Sequence, residues 1–136
     1  MEDCIFCKIV RGEIPSHKII EDDQTYSFLD ISPLNPGHAL VVPKEHQATF
    51  FDMPAESLNA CFLMAQRVGA AVMKTVEAAG MNLLINNYRA AGQLIHHVHI
   101  HLIPRYKRDG VLTEWPSKSY GEGEAQKLLG KIQNIL

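Results

Sequence analysis

The sequence predicts an α+β domain built on an antiparallel sheet of about five strands, with one long helix and a C-terminal helix. Three observations carry this expectation. Short apolar runs of strand character are separated by turn residues. One long segment repeats apolar residues at steps of three and four. A second, shorter helical stretch closes the chain.

Taken in order, Ile5 to Val10 reads as a short helical turn ended by Gly12. Lys18 to Glu21 and Thr25 to Leu29 read as strands, with Asp22-Asp23 supplying turn chemistry between them. Asp30 to Gly37 carries two prolines, Asn35 and Gly37, and is expected to be a loop. His38 to Pro43 follows as a buried strand. From Pro54 to Ala79, Leu58, Phe62, Ala65, Val68, Val72 and Val76 form one apolar stripe. Pro54 suits a first turn and Gly80 an exit. Met81 to Asn86 is a strand, Asn87 to Leu94 a loop, and His96 to Ile103 a last strand stopped by Pro104. Residues 106–121 look irregular, and Ala125 to Leu136 forms the terminal helix. Length fits a single domain over 1–136, with a core of about 3–105 and an extension of 106–136.

Composition narrows the function. The 136 residues carry a formal charge of −2, so no basic footprint points to nucleic acid. No apolar run approaches the roughly 20 residues that span a bilayer, and the start of the chain lacks signal-peptide character. A cytoplasmic setting without membrane or nucleic-acid partners is the expectation. Three cysteines argue against a disulfide framework, whereas seven histidines are many for this length.

The run His97-Val98-His99-Ile100-His101 is the most informative feature. On a strand these three imidazoles share one face, while Val98, Ile100 and Leu102 face the long helix and His96 points away. Like charges oppose one another, so at least one ring is neutral near pH 7 and available as a nucleophile or ligand. Cys4 and Cys7 form a C-x-x-C that suits metal binding or redox chemistry. The surroundings are not βαβ, which weakens the redox alternative. A zinc site needs two further ligands, for which His46 and His97 are the candidates. Cys61, in the long helix, reads as core; His17 and His38 could each line the pocket, with a structural role the first expectation for both.

HVHIHLIPR (His97 to Arg105), the preceding AGQLIH, FLDISPLNPGHALVVPKEH (Phe28 to His46) and DCIFCKIVRGEIPS (Asp3 to Ser16) together resemble the histidine triad (HIT) family, in its Hint-like bacterial branch. The resemblance implies a homodimer that hydrolyses or transfers purine nucleotide conjugates, with phosphoramidase or dinucleoside polyphosphate hydrolase activity. His99 would attack the α-phosphorus, forming a nucleotidyl-histidine. His101 would donate to phosphate oxygens, and Gln93 would bond a phosphate oxygen. Asn86 matches a phosphate or ribose contact and Asp30 the residue that grips the ribose hydroxyls. Phe6, Ile9, Phe28 and Ile31 would form the base slot. Cys4, Cys7, His46 and His97 would hold a structural zinc, with no cofactor needed for the chemistry. Leu94 stands where several members have Ser or Thr, which puts rate and leaving-group preference in question. Trp115 resembles a C-terminal tryptophan able to reach the other subunit's pocket. Two other readings compete: a metallohydrolase with catalytic zinc on the histidine strand, and a nucleotide-binding adaptor with little catalytic role.

Overall fold

A computed structural model describes residues 3–136. Helix α1 (Ile5–Val10) precedes strands β1 (Lys18–Glu21), β2 (Thr25–Leu29) and β3 (Ala39–Pro43). Helix α2 (Ala55–Thr75) and strands β4 (Gly80–Leu84) and β5 (Ile100–Arg105) follow, and α3 (Glu124–Ile135) ends the chain. The five strands form one antiparallel sheet in the order β1-β2-β3-β5-β4. The expected α+β architecture is the one observed.

The β1–β2 turn closes as its sequence suggests. The Asp22 carboxylate accepts the backbone N–H groups of Gln24 and Thr25 and the Thr25 hydroxyl, at 2.9, 2.7 and 2.9 Å. This satisfies donors that the ladder leaves free.

Alternation along β3 divides the interior in two. Ala39 and Val41 face α2, where Cys61, Met64, Ala65, Val68 and Val72 pack on them together with Ile100 and Leu102. Leu40 and Val42 face the other way and meet Phe6 and Ile9 of α1, with Tyr26 and Phe28. Both faces of β3 are therefore covered, and all five of its residues are buried. Each fully buried Leu or Ile contributes about 1.5–3 kcal/mol. Gly37 lets the chain pass close beneath α2. A Cβ there would lie 3.0 Å from Val76 Cγ1, and its φ of +94° is one that side chains avoid.

Several boundaries differ from expectation. α2 stops at Thr75, not Ala79, and Pro54 caps it from outside. The reversal uses Glu77 at φ +51°, so Gly80 is free to open β4 instead of ending the helix. Phe62 is exposed on α2's outer side rather than part of the buried stripe. The largest correction concerns the last strand. It begins at Ile100, not His96, and it runs through Pro104. β3 pairs with β5 only as far as Leu102, so the missing N–H of Pro104 breaks no ladder on that side. No helix among the described residues is long and apolar enough to cross a membrane.

Candidate functional site

β5 starts late, so His97 and His99 lie on a lead-in outside the ladder, yet both rings still meet Phe6 on the side opposite α2. Their backbone is held elsewhere: Val98 N–H donates to the Gln47 carbonyl at 2.8 Å. The three imidazoles thus share one side of the sheet, as expected, but they serve two places. His99 and His101 line one cavity, while His97 turns toward the cysteines.

The cavity holds about 590 Å³, a size that suits a small organic ligand. Its apolar wall includes Phe6, Ile9, Phe28 and Leu40, and its polar rim carries Asp30, His38, Asn86, His99 and His101. Phe6, Ile9 and Phe28 are buried there, whereas Ile31 lines the mouth and is 84% exposed. Leu94 also lines the mouth with its side chain largely in solvent.

Hydrogen bonds fix the tautomers of the rings. His99 Nδ1 lies 2.8 Å from the His97 carbonyl oxygen. A carbonyl only accepts, so Nδ1 carries the proton and Nε2 keeps its lone pair. The opposite holds for His101. Leu34 N–H donates to His38 Nδ1 at 3.1 Å, which leaves the His38 proton on Nε2. That proton is donated to His101 Nδ1 at 2.9 Å. His101 therefore carries its own proton on Nε2. Two adjacent rings, with centroids 4.9 Å apart, thus offer a lone pair and a donor.

Burial keeps these rings neutral. It pushes His101 down to about 4, aided by the neighbouring His99 and His38 rings. His99 and His38 are lowered for the same leading reason, and the Asp30 carboxylate partly offsets it in both. Asp30 Oδ2 lies 3.6 Å from His38 Nε2, and its Oδ1 accepts the Ser32 N–H at 2.8 Å.

His38 is the residue that sequence reasoning undervalued. The usable signal was its position two residues before Leu40, which places both on the cavity side of the chain. Gln93 departs the other way. It is fully buried, but its amide accepts Tyr88 N–H and donates to the Ala48 carbonyl, at 2.8 and 2.6 Å. Both ends are committed to holding the 88–93 loop, where Tyr88 sits at φ +69°. Gln93 is not among the residues that line the cavity. Trp115 is 93% exposed, and His17 is exposed away from the cavity.

A second cluster lies behind the Phe6 ring, whose edge meets both His97 and His99 at centroid distances of 5.9 and 5.0 Å. Cys4, Cys7, His46 and His97 gather there, each with a ligand atom within 4.8 Å of the others. His97 Nδ1 is 3.4 Å from Cys4 Sγ and 3.5 Å from Cys7 Sγ, and His46 Nδ1 is 3.5 Å from Cys7 Sγ. A tetrahedral zinc with ordinary bond lengths separates its nitrogen and sulfur ligands by about 3.6 Å. His97 Nε2–H donates to the Pro43 carbonyl at 2.7 Å, which directs the Nδ1 lone pair at the thiols. Burial pushes His97 down to about 4 and raises the Cys7 thiol. The donor set thus fits a closed Cys₂His₂ zinc site.

The HIT domain model matches residues 11–108. The chain belongs to the HIT family. This HIT protein is 44% identical to adenosine 5'-monophosphoramidase HNT1 of Saccharomyces cerevisiae over 134 residues, covering 98% of this chain and 80% of that one. A crystal structure of a HIT family member from Bacillus subtilis covers 98% of this chain and 97% of its own, with 37% identity and a TM-score of 0.91. That coverage extends beyond the domain match and takes in α3. A Zn-bound histidine triad family protein from Mycobacterium smegmatis matches at 31% identity over 99% of both chains, with a TM-score of 0.77.

Proposed function

We propose that this HIT protein is a nucleotide hydrolase or transferase that cleaves at the α-phosphorus of a purine nucleotide conjugate, of phosphoramidate, adenylate or dinucleoside polyphosphate type. The observation that carries the reading is the pair of opposed tautomers. His99 Nε2 presents a lone pair and His101 Nε2 a proton, beside a cavity with an apolar wall. The base lies against Phe6, Ile9, Phe28 and Ile31, and Asp30 accepts from the ribose hydroxyls. Asn86 stands at the ribose or phosphate. Similarity to an adenosine 5'-monophosphoramidase supports the choice of substrate class.

With a phosphoramidate, a bond forms from His99 Nε2 to phosphorus as the P–N bond breaks. The leaving nitrogen departs as an amine after taking a proton from solvent. The adduct ring is cationic, and the His97 carbonyl on Nδ1–H together with nearby Asp30 stabilises it. His101 Nε2–H donates to a non-bridging oxygen. Water then attacks phosphorus, returns the lone pair to Nε2 and releases the nucleoside monophosphate. Phosphoryl transfer of this kind depends chiefly on such positioning and charge stabilisation.

The metallohydrolase alternative conflicts with the donors. Asp30, His38 and His101 lie close enough to hold an ion. The Leu34 N–H, however, occupies the only His38 nitrogen that could carry the proton when Nε2 is a ligand. The separate cysteine–histidine cluster is read as a structural zinc site that supplies fold stability and no step of the reaction. A zinc-bound relative supports this.

A homodimer completes the reading. Phe62, Leu63, Met73, Met81 and Leu83 line an apolar groove of about 720 Å³ between α2 and β4. β4 is an edge strand. An exposed apolar edge of this kind suits pairing with a second copy. Intact-mass spectrometry after rapid quench tests the chemistry. A nucleotidyl adduct on His99 is expected, and turnover that leaves no adduct and survives His99→Ala would refute it.

A further inference from the structure

The loop between β2 and β3 is closed at its base and pinned near its far end. The Asp30 N–H donates to the His38 carbonyl at 2.9 Å, and the His38 N–H donates to the Asn35 carbonyl at 3.0 Å. Asn35-Pro36-Gly37-His38 is thus a tight turn, with Pro36 and the positive φ of Gly37 suiting its two central positions. Asn35 also reaches out of the loop. Its Nδ2 donates to the Pro104 carbonyl at 2.9 Å and to Asp109 Oδ2 at 3.0 Å. Both partners only accept, so the amide nitrogen must face them. Among the described residues, no other hydrogen bond ties 31–37 to any part of the chain outside 30–38.

Pro104 and Asp109 belong to the end of β5, the strand that carries His101, and to the turn after it. That turn does not need Asn35. The Asp109 carboxylate already accepts Arg105 Nε at 2.8 Å and the N–H groups of Tyr106 and Val111 at 3.0 Å each. What Asn35 does set is the place of its neighbour. The Leu34 side chain is exposed, and its N–H ends on His38 Nδ1 at 3.1 Å. If that donor drifts, His38 is free to carry its proton on Nδ1 and turn a lone pair toward His101. His101 must then carry its own proton on Nδ1, because two lone pairs cannot share the 2.9 Å contact. Each ring exchanges one proton with solvent, and the number of protons is unchanged. Asp30 Oδ2, 3.6 Å from His38 Nε2, lies beyond hydrogen-bond reach and is a weaker hold on that proton.

We propose that Asn35 is a positioning residue for the reaction: by tying the β2–β3 loop to the end of β5, it holds the Leu34 N–H on His38 and so keeps the His101 donor proton on Nε2. This inference rests on the role of His101 proposed above. It adds a residue that does not line the cavity and acts only through Leu34, His38 and His101.

Kinetics and NMR of Asn35→Ala test it. With the pin gone, kcat on an adenosine phosphoramidate is expected to fall about fivefold, the share of one neutral hydrogen bond, with KM unchanged. In a His38→Leu background the same substitution is expected to cost nothing further, because its route to His101 is already cut. Long-range proton–nitrogen correlation spectra of the imidazoles read the tautomers directly. Wild type is expected to show an unprotonated Nδ1 in both His38 and His101, and Asn35→Ala a partial transfer of the proton onto both. A wild-type His101 protonated on Nδ1 would overturn the donor proposed above and this inference with it. Wild-type rings as stated, with an Asn35→Ala variant unchanged in tautomer or in kcat, or equally impaired in both backgrounds, would overturn the positioning role alone.

Discussion

Replacing His38 with leucine should cost far more activity than the bond it removes. The direct loss is one neutral hydrogen bond, that from His38 Nε2–H to His101 Nδ1 at 2.9 Å. Such a bond contributes about 1 kcal/mol, or roughly fivefold. The larger consequence is tautomeric. Without that donor, His101 is free to carry its proton on Nδ1 and present a lone pair toward the phosphate. Loss of one donor to a developing oxyanion lowers rate by about 10²–10³. His38→Leu is therefore expected to reduce kcat by on the order of 10²–10³, with KM changed little. His38→Gln separates the two effects. Its carbonyl can accept the Leu34 N–H while its amide donates to His101, so most of the lost rate should return. Steady-state kinetics on a fluorogenic adenosine phosphoramidate provides the assay, with thermal melts confirming that both variants fold. A leucine variant within twofold of wild type, or a glutamine variant as impaired as leucine, would refute the tautomer argument.

Three further outcomes follow from the same geometry. Cys7→Ser should abolish stoichiometric zinc, read by elemental mass spectrometry, and lower Tm by several degrees, while EDTA added to intact enzyme leaves turnover in place; zinc retained by the variant would exclude the Cys₂His₂ assignment. Leu102→Ala, at a fully buried position between β3, β4 and α2, should cost about 2–5 kcal/mol in urea unfolding, and a loss below 1 kcal/mol would show that the sheet–helix layer repacks. Stability should also fall on acidification. His101 is held near 4 in the fold and His38 and His99 are also lowered, so each favours the folded state in its neutral form. That contribution is full above the unfolded value of about 6.5 and is lost as pH drops from there toward 4. Urea midpoints at pH 7 and pH 5 check the sign, and an equal or higher midpoint at pH 5 would contradict it.

Much of this molecule is legible because its signals are local. β1, β2 and α1 fall where alternation, Asp22 and Gly12 place them, since strand period and turn chemistry need no distant partner. The long helix was equally plain, although its exit was not. Gly80 looked like a C-terminal cap, but Glu77 adopts the positive φ because β4 must begin at Gly80 to pair with Arg105. The histidine strand begins later than its alternation predicts for a related reason. Period-two reasoning assumes a ladder, and β3 offers β5 partners only from Ile100 to Leu102.

The sequence alone determined which chemistry is available: a cluster of imidazoles, a pair of thiols, and apolar residues enough to wall a cavity. Tertiary structure decided how those groups are divided. His97 and His99 are two residues apart, yet one faces the thiols and the other the cavity. His38, distant in sequence, sets the proton on His101. Hydrogen-bond partners such as the Pro43 carbonyl and Leu34 N–H fix which nitrogen carries a proton, and they reach those rings only through the fold. A residue's identity sets what it can donate or accept, but direction and protonation arise from neighbours that no local pattern names.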